Sequence, residues 1–143
     1  MIYPHPGPLA ARSAPKPGES ISLHLDGLPP FKEVRRSIRN PRHPRYEAFQ
    51  RLREAAIAAM DGRECYSGAV GAVLRLYAPQ LDRSIGDYAA GIEDTLDGSH
   101  GVHFTYLPIV YQDDCQVCSW HSVFVRTAEM FYELEITFLP DVV

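Results

Sequence analysis

Hydrophobic and polar positions change period several times along this 143-residue chain. Ile21, Leu23 and Leu25 alternate with Ser22, His24 and Asp26, the period-two mark of a half-buried strand that Gly27 and Pro29-Pro30 stop. From about Arg45 to Met60 the period is helical. Phe49, Leu52, Ala56 and Ala59 share a stripe, Arg45, Arg51 and Arg53 lie off it, and Asp61-Gly62 ends it. Alternation returns over residues 69–77, where Val70, Ala72, Leu74 and Leu76 share a face before Pro79. Ser84-Ile85-Gly86-Asp87 opens a second helix, which runs to about Leu96 and closes at Asp97-Gly98. The apolar run Leu107-Pro108-Ile109-Val110 predicts a short strand over residues 109–111. Two more strands follow, over residues 117–125 and 129–138, the last with Met130, Tyr132, Leu134, Ile136 and Phe138 on one face.

The order β-α-β-α-β-β-β, without an internal repeat, predicts an α+β fold: a single mixed β-sheet with two helices on one face. Residues 1–18 hold five prolines and no period, so they are expected to form a flexible arm before a domain at residues 19–143. No apolar stretch approaches the ~20 residues a bilayer span needs, and the N-terminus lacks a signal-peptide core. A cytoplasmic protein without membrane contact is the expectation. Three cysteines do not suggest a disulfide scaffold.

Charge changes this picture. Residues 1–83 carry 13 Lys/Arg against 8 Asp/Glu, whereas residues 84–143 carry 1 against 10. One half suits an anionic polymer, and the other suits cations. The basic set Lys32, Arg35, Arg36, Arg39, Arg42 and Arg45 is interleaved with prolines, a pattern for contacting phosphates rather than for reading bases. The alternative is a solvated loop.

Three constellations could carry chemistry. Asp87 and Asp94 lie two turns apart on one face of the second helix, and Asp113-Asp114 follows the predicted short strand. Such carboxylates could hold Mg2+, which activates water and stabilises the leaving oxygen in phosphodiester cleavage. Ser84-x-x-Asp87 also reads as a capping box, and the Asp pair also reads as a polar turn. Cys115-x-x-Cys118 with His100 and His103 offers four zinc ligands, although residues three apart on a strand face opposite ways. Trp120 reads as core.

Gly91-Ile-Glu-Asp-Thr-Leu-Asp-Gly98, followed after a gap by Ile109-Val-Tyr-Gln-Asp-Asp-Cys-Gln-Val117, resembles the RusA family of Holliday-junction resolvases. The resemblance extends over residues 20–140, through Leu28-Pro29-Pro30 and Pro44-Arg45-Tyr46-Glu47. It implies a homodimer that cuts branched double-stranded DNA with Mg2+ or Mn2+ at an acidic pocket under a basic rim. Asp114 matches a family acid. Ser84 and Gly86 stand where two family aspartates belong, Asp87 stands at the asparagine, and Ala90 replaces the helix lysine. With those two acids missing, a rearranged site is expected, in which Asp87, Asp113 and Asp114 carry catalysis, Asp87 and Asp114 hold the metal, and Asp82 and Glu93 are further candidates. Asp94 is expected to orient the helix end. A cleavage-deficient relative that binds branched DNA without cutting it is one alternative, and a small structural zinc module is another.

Overall fold

Strand β1 spans Ser20–Asp26 in a computed structural model that describes residues 12–32, 40–97 and 108–140. Helix α1 (Tyr46–Met60), β2 (Val70–Ala78), α2 (Ile85–Leu96), β3 (Val117–Arg126) and β4 (Phe131–Phe138) follow, and a short 3-10 turn at Asp114–Gln116 precedes β3. The class is α+β, with four strands in the order β1-β4-β2-β3. Pairing is antiparallel from β1 to β4 and from β4 to β2, with Leu23 opposite Leu134 and Leu74 opposite Leu134. β2 and β3 run parallel, with Leu76 opposite Phe124. Parallel neighbours need a crossover, and α2 lies within the one that links them.

Alternation decides which face is covered. Ile21, Leu23, Val70, Leu74, Leu76, Leu134 and Ile136 point to one side and are buried with Leu52, Ala56, Ile92 and Leu96 from the helices. Intervening residues such as Ser22, His24, Arg75 and Glu135 are exposed. α1 ends on Asp61, whose left-handed backbone (φ 50°) turns the chain towards β2. Arg12, within the expected arm, is tied to that turn: its N–H donates to Gly62 O at 3.0 Å and its guanidinium meets Asp61 at 2.7 Å.

Several expectations need correction. Residues 109–111 form no strand, only a bridge from Tyr111 to Tyr66. Ile109 N and Val110 N instead donate to Leu96 O, at 3.1 and 3.2 Å, and satisfy a carbonyl at the end of α2. β4 begins at Phe131, and Met130 remains half exposed just before it, after a turn in which Thr127 Oγ1 donates to Glu129 O. Arg53 is buried on the α1 stripe, beside Phe49, Leu52, Ala56 and Met60. Trp120 is only partly buried, and its indole N–H donates to Ser122 Oγ at 2.6 Å. Among the described residues, no helix is long and apolar enough to cross a membrane.

Candidate functional site

The two adjacent acids at 113 and 114 do different things. Asp113 is the cap of the 3-10 turn, where its carboxylate accepts from Cys115 N at 3.0 Å. Gln116 completes this capping box, since its Oε1 accepts from Asp113 N at 3.0 Å and from Gln112 N at 2.8 Å. The Gln116 amide then donates to Tyr66 O and Gly68 O, both at 2.8 Å, which ties the turn to the entry of β2. Asp114 is exposed, and its carboxylate faces the end of α2.

There it meets Asp94 and Asp97. One carboxylate oxygen from each of Asp94, Asp97 and Asp114 lies within 4.8 Å of the other two. Asp97 is buried and Asp94 is half-buried. Two negative charges at that separation repel by about 3 kcal/mol at an effective dielectric near 20. The partial negative charge at the C-terminal end of α2 works in the same direction. A cation relieves both.

Neighbouring groups report the same field. Glu93 has its pKa raised, first by burial and then by the charges of Asp114 and Asp94, while Lys32 pulls it down. Tyr111 is buried against the site, and its hydroxyl donates to Glu93 O at 3.4 Å. Burial, followed by the charges of Glu93, Asp97, Asp114 and Asp94, holds that phenol protonated well above its ordinary range.

The donor set fits a hard divalent ion. Mg2+ takes oxygen ligands at 2.0–2.1 Å, so ligands across the ion stand about 4.2 Å apart and adjacent ones about 3 Å. Three carboxylates, with one oxygen of each within 4.8 Å of the others, offer the kind of oxygen donors such an ion takes. Asp94, Asp97 and Asp114 would hold it.

The other candidate residues are distributed elsewhere. Asp87 is not part of this carboxylate group. It sits in the first turn of α2, where its N–H donates to Ser84 Oγ at 3.2 Å, so the Ser84 half of the expected capping box forms. The Tyr88 hydroxyl donates to the Asp82 carboxylate. Lys32 is exposed, and its N–H donates to Asp87 O at 3.1 Å. Arg42 is exposed as well. Arg45, expected on the DNA rim, turns its guanidinium inward to donate to Leu28 O and, at 3.5 Å, to Pro29 O. Arg35, Arg36 and Arg39 lie outside the described residues, as do His100 and His103 of the zinc reading. Cys115 and Cys118 are exposed free thiols.

Sequence reasoning missed Asp97, which reads as a helix stop beside Gly98. The available signal was the spacing Asp94-x-x-Asp97, which puts two acids on one side of a helix end. No protein-family model and no curated protein matches this chain.

Proposed function

We propose that this chain is a Mg2+- or Mn2+-dependent endonuclease that cuts branched DNA such as Holliday junctions, working as the homodimer that its resemblance to the RusA family implies. The observation that carries this reading is the meeting of Asp114 with Asp94 and Asp97. The two segments quoted for the resemblance, residues 91–98 and 109–117, supply all three carboxylates.

In this reading the helix contribution to the metal centre comes from Asp94 and Asp97 rather than from Asp87. Asp113 shapes the turn through its cap. A bound divalent cation supplies charge neutralisation at the phosphodiester and activation of water. Exposed cations at Lys32 and Arg42 attract the phosphate backbone, a contribution that weakens steeply with salt.

The test is incubation of the purified protein with a synthetic four-way junction in Mg2+ or Mn2+. Nicking is expected in the wild type, falling roughly a hundredfold or more in Asp114→Asn or Asp97→Asn, since loss of one such group commonly costs several kcal/mol of transition-state stabilisation. Asp87→Asn is expected to stay within about threefold of wild type. Absence of nicking in either metal, or full activity in Asp114→Asn, defeats the assignment.

A second reading, a branched-DNA binder without cleavage, is favoured by the start of α2. Ser84 serves as the helix cap and Gly86 has no side chain, at the two positions where the family pattern has acids. That reading predicts salt-sensitive gel shifts with no nicking in any metal.

A further inference from the structure

The segment Pro30–Lys32 lies against α2 with no room for a side chain between them. A Cβ added to Gly91 would stand 2.2 Å from Pro30 O, 2.6 Å from Pro30 C and 2.8 Å from Phe31 Cα. Phe31 is buried edge-on to Tyr88, with the Arg83 guanidinium 4.1 Å above its ring. With the bond from Lys32 N to Asp87 O, these contacts hold the Lys32 backbone over the helix while its side chain remains exposed. Asp87 precedes Gly91 by four residues and Asp94 follows it by three. The segment therefore crosses α2 between two carboxylates of one helix face.

We propose that Lys32 contacts the phosphate to be cut, joining the acidic centre to the DNA, a role that rests on the nuclease reading above. The reason is charge. Asp94, Asp97 and Asp114 carry three negative charges when ionised, and one divalent cation removes two. A phosphodiester approaching the remainder is still repelled. A compact ammonium with three donors on a flexible stem offsets that repulsion and reaches a phosphate oxygen. Lys32 then acts at the centre, whereas an outer clamp such as Arg42 acts on the flanking backbone.

A double-mutant cycle on junction binding separates the two roles. Affinity for a four-way junction is measured in Ca2+ for wild type, Lys32→Met, Asp114→Asn and the double variant, and nicking is measured in parallel in Mg2+. Lys32→Met is expected to weaken binding about tenfold in the wild-type background and less than threefold in Asp114→Asn. Lys32→Arg is expected to recover most of the loss. Equal effects in both backgrounds, or none in either, overturn the proposal and leave an outer clamp or a solvated lysine. Coupling without nicking supports a Lys32 contact with a phosphate held at the acidic centre and sinks the nuclease reading. Nicking without coupling does the reverse, and a wild type that does not bind the junction sinks both.

Discussion

Gln116→Glu tests whether one amide holds the acidic turn in place. The substitution changes a single NH2 into an oxygen. Both N–H groups that Gln116 Oε1 accepts, from Gln112 and Asp113, keep an acceptor. The two bonds to Tyr66 O and Gly68 O lose their donor, and a carboxylate oxygen then faces two carbonyl oxygens at the former 2.8 Å. Each lost hydrogen bond costs about 1 kcal/mol net, and leaving half-buried carbonyls unmatched costs about as much again for the pair. The total is about 3 kcal/mol at neutral pH. For a chain of this size that lowers Tm by about 9 °C. Urea unfolding gives the free energy. The sign with pH follows from the new group. Its ionised form is disfavoured in the folded state, so its folded pKa is raised, and the pH-dependent part of the penalty is absent below the ordinary glutamate range and grows as pH rises. Protonating the introduced carboxylate restores one of the two donors, so the gap between variant and wild type should narrow in acid to about one hydrogen bond, about 1 kcal/mol. A difference below about 0.5 kcal/mol at pH 7, or one that widens as pH falls, refutes the claim that this amide anchors the turn.

Two further outcomes follow from the packing and charge of α2. Gly91→Ala gains about 1 kcal/mol of helix propensity, but it forces a Cβ into the Pro30 backbone, and overpacking of this kind costs about 3 kcal/mol; urea unfolding is expected to show a net loss near 2 kcal/mol, and a stabilised variant rejects the close approach. Glu93→Gln removes an acid whose pKa is raised from 4.5, first by burial and then by Asp114 and Asp94. The wild type carries no penalty below that ordinary value and loses stability as pH rises through the raised one. The variant should therefore match wild type below pH 4.5 and exceed it at pH 7 in thermal melts; a variant less stable at pH 7 contradicts that sign.

Where the chain alternates every second residue, strands formed, because burying one sheet face requires that spacing along Ile21–Leu25, Val70–Leu76 and Tyr132–Phe138. The two helices formed for the matching reason, and Ser84 capped α2 as its position predicts. These are local properties, and a linear pattern carries them. The buried place of Arg53 on the α1 stripe and the inward turn of Arg45 were not legible, since charge alone marks an arginine as a surface residue.

The candidate site belongs to another level. Adjacent in sequence, Asp113 and Asp114 part company at a capped 3-10 turn that Gln116 ties to Tyr66 and Gly68, about fifty residues away in the chain. Asp97, which marks a helix end in one dimension, becomes a buried neighbour of Asp114 once residues 109–110 fold back on Leu96. Sequence alone determined both helices, four of the five expected strands and the sign of charge in each half, since these depend on neighbours along the chain. Tertiary structure decided which carboxylates meet, because their distances are set by how α2 and the turn pack, and periodicity does not encode that.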